Sequence, residues 1–348
     1  VTRVESYLAG EIAEGSFPGA VALVGTRNDV LEESAAGAAC IEPDRADAAA
    51  GTLYDLASLT KPLCTGALAA QASDAMPVDA VPGRFVPGWK RSRYDGITVG
   101  SLLTHTSGLP AWFPFYARGE GAEAYRRTLA EIEPEAKPGE RVIYSDVNFL
   151  LLGDILEIVL GAPLDRAFAT LVAEPAGSGA RFGPVAPGSA AATEKADRFE
   201  RAMTEARGLS YARFRDGVVR GEVHDGNAFR RGGVAAHAGL FGTARDVWSL
   251  ARTWLDPERA ALGKDRTPDL GEARGLAWQG RRGAGSAIAR MSDRAFGHTG
   301  FTGTSVWIDP DADRIAVLLT NRIHPEVREI PFNDVRRRFH EAVYEAFA

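Results

Sequence analysis

Lysine is scarce in this chain. Five lysines stand against 35 arginines, so arginine is the ordinary cation and any lysine is the exception. The difference matters chemically, because a buried lysine can give up its proton and an arginine cannot. Cysteine is scarcer: Cys40 and Cys64 are the only two, too few for a disulfide framework, although one pairing between them stays open. The six histidines show no H-E-x-x-H spacing, and no metal or other cofactor is expected. No apolar run reaches 18 residues, so no transmembrane segment is expected. An excess of positive charge is also missing. With a net charge of −6, nucleic acid is not an expected partner. A secretory leader pattern is lacking too, and the chain opens on Val1; an exported protein with its leader removed and a cytoplasmic one both fit.

What is present reads as sheet, helical insert, sheet. A length of 348 residues with 45% hydrophobic and 25% charged residues is enough for a large core and is ordinary for a globular chain. Val4, Leu8 and Ile12 recur at helical spacing up to Gly15, after which Phe17-Pro18-Gly19 turns into an apolar strand at 20–24, with 30–35 as its hairpin partner. The last third returns to strands at 287–291, 295–301, 304–308 and 315–320, with a turn at 309–313 and a closing helix at about 333–347. Between them, 173–231 reads as irregular covering structure with one helical piece near 191–206. The expected fold is therefore α+β: one antiparallel sheet built from both termini, flanked by helices, with a mostly helical lobe inserted. The sheet part spans about 1–57 and 280–348, the helical part about 58–279, within a single domain. The short basic run Arg336 to Arg338 reads as a solvated helix face.

The stretch Leu56-Ala-Ser-Leu-Thr-Lys61 carries the first chemistry. Ser58 and Lys61 stand three apart at the start of an Ala/Leu-rich helical pattern, where i and i+3 share a face. A hydroxyl becomes a useful nucleophile when a neighbour takes its proton, and a desolvated amine can do so. A helix N-terminus adds N–H groups beside any oxyanion formed there. About one S-x-x-K is expected by chance at average composition, and a helix-capping serine with a solvated lysine would look the same. Two further stretches follow. Tyr144-Ser145-Asp146 precedes the strongly apolar pattern at 149–159, with Asp146 as the candidate N-cap. His298-Thr299-Gly300 lies in a strand pattern, where glycine admits close backbone approach.

In this order the three stretches resemble the serine beta-lactamase and penicillin-binding protein superfamily, in its class C beta-lactamase, DD-carboxypeptidase and esterase branch. Phe17-Pro-Gly, Leu102-Leu-Thr-His-Thr-Ser-Gly-Leu109 and Lys137-Pro-Gly extend the resemblance over nearly the whole chain. It implies that Ser58 is the acylated nucleophile, Lys61 its hydrogen-bonded partner and Tyr144 the general base or proton relay. It also implies an oxyanion hole from the backbone N–H groups of Ser58 and Phe301, with Asp146, His298, Thr299 and Gly300 binding substrate. The implied substrate is a small ester, D-alanyl peptide or beta-lactam. A serine hydrolase, either esterase or D-alanyl-D-alanine carboxypeptidase, is expected. A true beta-lactamase and a non-catalytic cell-wall-binding protein are the alternatives.

Two departures bear on substrate. Asp146 stands where many class C enzymes carry asparagine, and a carboxylate there favours a charged Lys61, shifting proton transfer toward Tyr144. His298 stands where most relatives carry lysine, and it is only partly charged near neutral pH. Both changes are expected to make the site less positive and beta-lactam turnover weak. His105 reads as a structural hydrogen-bonder before a catalytic group, His224 and Asp225 as braces of their loop before a border of the cleft, and His237 stays open. Trp112, Phe113, Phe115 and Tyr116 line an acyl pocket or cap the core.

Overall fold

The computed structural model describes residues 1–90 and 92–347. Among them the strands are, in chain order, β1 (Gly19–Gly25), β2 (Val30–Cys40), β3 (Ala46–Asp47), β4 (Tyr54–Asp55), β5 (Arg181–Phe182), β6 (Ala192–Lys195), β7 (Val218–Arg220), β8 (Leu240–Gly242), β9 (Gln279–Gly280), β10 (Phe296–Thr299), β11 (Ser305–Asp309) and β12 (Arg314–Thr320). The main sheet has the order β3-β2-β1-β12-β11-β10-β9. Its neighbours pair antiparallel, with Ala22 opposite Leu318 where the N-terminal strands meet the C-terminal ones. The sheet is thus assembled from both ends of the chain, as the hydrophobic pattern predicts.

Strand β1 is buried along its whole length, and the period-2 rule divides its side chains between two cores. Ala20, Ala22 and Val24 face a cluster with Val4 and Leu8 of the Arg3–Ala13 helix and Val335, Phe339 and Val343 of the Phe332–Ala346 helix. Val21 and Leu23 face the larger core, which takes in Phe149, Leu152 and Ile155 of the Asp146–Leu160 helix. The N-terminal helix is fixed by a capping box, in which Glu5 N–H donates to Thr2 Oγ1 at 3.1 Å and Thr2 N–H to Glu5 Oε2 at 2.8 Å.

Several boundaries differ from the expected ones. The apolar stretch 287–291 forms no strand; Ile288 and Met291 pack on Trp307 as a small separate cluster. Residues 191–206 split into β6 and the Arg198–Ala206 helix. The middle of the chain carries most of the helices but also holds β5 and β8, which join β4 in the three-stranded sheet β4-β8-β5, and the pair β6-β7. Arg336 is no part of a solvated face: it is 6% exposed and donates to the carbonyls of Gly300 (2.8 Å) and Thr304 (3.2 Å). Cys40 and Cys64 are both free and buried.

One edge of the sheet is left open where the chemistry lies. Among the described residues β9 pairs with Phe296 and Gly297 of β10 and no further, so the chain from His298 onward has no described strand neighbour on that side. The segment around Ser58 takes the place. Thr302 Oγ1 donates to Asp55 O at 2.8 Å, and Thr304 Oγ1 to Leu56 O at 3.1 Å. A Cβ on Gly300 would lie 2.8 Å from Leu56 O, so only glycine lets β10 come this close.

Candidate functional site

Ser58 lies in a tight helical turn, Ala57–Leu59, followed by a wider turn over Lys61–Gly66 and regular helix over Ala67–Gln71. Ala57 just before it has φ +48, a left-handed conformation that costs a non-glycine residue about 1–3 kcal/mol and is concentrated at functional sites. Ala57 N–H is held by Asp55 Oδ1 at 2.9 Å.

Lys61 is fully buried, and its Nζ lies 2.9 Å from Ser58 Oγ, 3.2 Å from His237 O and 2.6 Å from Asp146 Oδ1. The first two are hydrogen bonds; the contact to Asp146 is an ion pair, and Asp146 Oδ1 has no hydrogen-bond partner among the described residues. Burial alone would push the lysine's pKa down; Asp146, with Tyr144 beside it, overcomes that and leaves it raised. Asp146 can do this because it is not the helix cap. Ser145 caps the Asp146–Leu160 helix, accepting from Asn148 N–H at 3.2 Å, and the carboxylate one residue on is free to face Lys61.

Tyr144 is clamped by rings and cations. Its ring centre lies 4.5 Å from that of His105, 5.8 Å from that of His298, 4.9 Å from Lys61 Nζ and 5.4 Å from the Arg274 guanidinium carbon. Its buried hydroxyl has no hydrogen-bond partner among the described residues. His105, at φ +59, accepts from Ser145 N–H through Nδ1 at 2.9 Å. Burial, then Arg274 and Lys61, hold its pKa well below the ordinary value, so it is a neutral brace under Tyr144. His298 is neutral for the same reasons, burial first and then Lys61 and Arg274. It is 3% exposed, and its Nδ1 lies 2.9 Å from Thr299 O.

Two cavities meet at Ser58 and Tyr144, and their charges are opposite. One, of about 340 Å³, is lined by His298, Arg274, Arg322 and Arg336. Arg322 Nε donates to Phe301 O at 2.8 Å. Among the described residues neither Arg322 nor Arg336 pairs with a carboxylate, and burial followed by mutual repulsion pushes Arg336 down to about 9. His298 is uncharged and adds no positive charge here, but three guanidiniums that the sequence alone does not place at the site stand around it. The other cavity, of about 240 Å³, has Trp112, Phe199, Met203 and Phe301 as apolar walls and Glu200 and Asp225 among its polar groups. Glu200 accepts from Gly226 N–H at 2.6 Å and from Tyr116 Oη at 3.1 Å. Burial, then Asp225, pushes its carboxyl up to about 7.

The remaining candidates fall into place around this. His224 Nε2 lies 2.9 Å from Glu194 Oε2, and the His224 backbone N–H donates to Asp55 Oδ2 at 2.7 Å. Asp225 caps the Gly226–Arg230 helix and holds His237 Nε2 at 2.9 Å. His224 and Asp225 brace loops and border the second cavity at once, while His237 does not line it. Of the four aromatics, Trp112 lines that cavity while Phe115 is in the core. Asp146, Asp225 and His237 bring possible metal ligands within 4.8 Å of one another, but the cation at Asp146 is the Lys61 ammonium, which a metal would have to displace.

The sequence alone does not point to Arg274, Arg322 or Glu200, and it places Arg336 only on a solvated basic face. For Arg336 there was a signal. Phe332, Arg336, Phe339, His340 and Val343 repeat at three and four, which puts the arginine on the buried stripe of its helix.

The family model described as Beta-lactamase matches residues 4–337. Among curated proteins, a Putative D-alanyl-D-alanine carboxypeptidase of Escherichia coli (strain K12) is 30% identical, over 94% of this chain and 84% of its own length. An N-acetylmuramyl-L-alanine amidase of Bacillus subtilis (strain 168) is also 30% identical, over 93% and 81%. Among solved structures, EstCE1, a hydrolase with promiscuous acyltransferase activity, superposes with a TM-score of 0.76 at 23% identity, covering 98% of this chain and 97% of its own.

Proposed function

Since the chain belongs to the beta-lactamase family, we propose that it is a serine hydrolase working through an acyl-enzyme on Ser58, of the carboxypeptidase type. Its leaving group is an amine that carries a carboxylate, as the terminal residue of a D-alanyl-D-alanine peptide does. The observation that carries this reading is the guanidinium-lined cavity beside Ser58, where Arg322 and Arg336 stand without a carboxylate of their own. Buried cations call for a counter-charge, and arginine matches a carboxylate in two-point geometry. A neutral short-chain ester supplies no such group.

The proton path follows from Lys61. Its ion pair with Asp146 keeps it an ammonium, which orients Ser58 Oγ and stabilises developing negative charge. As Ser58 Oγ attacks the carbonyl carbon, its proton passes to Tyr144 Oη, and the Tyr144 proton passes to the leaving nitrogen. The C–N bond breaks, the amine departs neutral, and Tyr144 ends as it began. Water then reverses the route, giving one proton through Tyr144 back to Ser58 as the acyl group leaves. The N–H groups of Ser58 and Phe301 form the oxyanion hole; the stapling of Thr302 and Thr304 to the carbonyls of Asp55 and Leu56 supports it, because it holds both segments rigidly together.

A peptide and its C-terminal amide differ only in the carboxylate. Hydrolysis of the free acid is expected to exceed that of the amide by at least 100-fold in kcat/KM; equal rates would remove the carboxypeptidase reading. A beta-lactamase is the second reading, favoured by the same guanidiniums, because a penicillin also carries a carboxylate. Rapid release of hydrolysed penicillin, faster than peptide turnover, would establish it.

A further inference from the structure

The third polar feature of the guanidinium-lined cavity is an acceptor. His298 Nδ1 lies 2.9 Å from Thr299 O, and a carbonyl only accepts, so the ring proton is on Nδ1. The neutral ring therefore presents a bare lone pair at Nε2. That atom is buried, and among the described residues it has no hydrogen-bond partner. His298 itself is 3% exposed and lines the same cavity as Ser58 and Tyr144. An unsatisfied buried acceptor is costly, and the cost is recovered when a ligand brings a donor. Lysine at this position would offer three donors and no acceptor; histidine held in this tautomer offers the reverse.

We propose that His298 Nε2 accepts the N–H of the scissile peptide bond, and later one hydrogen of the incoming nucleophile, so that the site selects peptide bonds over esters and water or primary amines over alcohols. This rests on the acyl-enzyme reading given above and specifies its leaving group and acyl acceptor. A peptide nitrogen keeps its own hydrogen throughout acylation and receives a second from Tyr144. The departing amine has two, one directed at Tyr144 and one at His298. An ester oxygen has no hydrogen for His298. In the second half, water or a primary amine gives one hydrogen to Tyr144 and keeps another for His298, while an alcohol has only the one that Tyr144 takes. A site with a buried acceptor discriminates against analogues that leave it unpaired.

The test compares a peptide with its depsipeptide, in which the scissile N–H is replaced by oxygen and the carboxylate is kept. Ratios within one protein cancel differences in the amount of active enzyme. The peptide-to-depsipeptide ratio of kcat/KM is expected to fall at least tenfold in His298→Phe and in His298→Lys, and to be partly restored in His298→Gln, whose side-chain carbonyl accepts. The partition of the acyl-enzyme between D-alanine and methanol is expected to move the same way. Unchanged ratios in both His298→Phe and His298→Lys would overturn the assignment while leaving the acyl-enzyme intact, as intact mass with the depsipeptide would show. No Ser58 adduct from either substrate in the wild type would overturn this assignment and the underlying reading together.

Discussion

At the scale of single residues, the site is a set of charges held against the preference of burial. Lys61 keeps its proton because Asp146 lies 2.6 Å away, and Asp225 is held well below the ordinary carboxylate range, where His237 outweighs the burial that opposes it. Among the described residues Glu200 pairs with no cation, and burial followed by Asp225 raises it to about 7. The sign of that shift gives a prediction. A carboxyl whose folded pKa lies above its unfolded value of about 4.3 stabilises the fold fully at low pH, and that contribution is lost as pH rises through 7. Glu200→Gln does not titrate, and its amide can still meet Gly226 N–H. Relative to the wild type it is expected to gain on the order of 2 kcal/mol between pH 5 and pH 8.5 in urea unfolding. A constant difference across that range would show that Glu200 is already ionised in the fold.

At the scale of elements, the end of β10 and the Ser58 turn act as one unit, and Gly300 is the hinge of their contact. Its substitution by alanine puts a Cβ 2.8 Å from Leu56 O, a backbone atom that cannot swing aside. The expected outcome is a shift of β10 away from Ser58, a loss of acylation rate of about 100-fold, which is the scale of a lost oxyanion donor, and a retained fold by circular dichroism. Full activity would mean that the β10 edge plays no part in the reaction. This contact also marks the limit of what the sequence shows. Ser58 with Lys61, Tyr144 with Asp146, and His298 to Gly300 are short-range patterns whose spacing places them on their elements. The three arginines come from separate segments, and only the tertiary fold brings Arg274 and Arg336 into one cavity. The cap at Ser145 in place of Asp146 is a one-residue offset between two good capping residues, which composition does not resolve. The apolar stretch at 287–291 packs on Trp307 without strand pairing, and a short apolar run cannot announce that difference.

At the scale of the whole molecule, sheet strands from both termini hold the reaction centre between cavities of opposite charge. The Phe332–Ala346 helix covers one face of the sheet and sends Arg336 back to the carbonyl of Gly300, so the closing element of the fold also shapes the site. A cationic cavity lies beside an acidic one, and in the proposed reaction the substrate carboxylate is placed toward the arginines and the acyl group toward Glu200 and Asp225. The central claim, covalent catalysis at Ser58, is tested most directly by intact-protein mass spectrometry with peptide mapping after mixing with penicillin or a D-alanyl-D-alanine peptide. One acyl adduct on the peptide containing Ser58, absent from Ser58→Ala, is the predicted result. Substrate turnover without any adduct, or an equal adduct on Ser58→Ala, would contradict it.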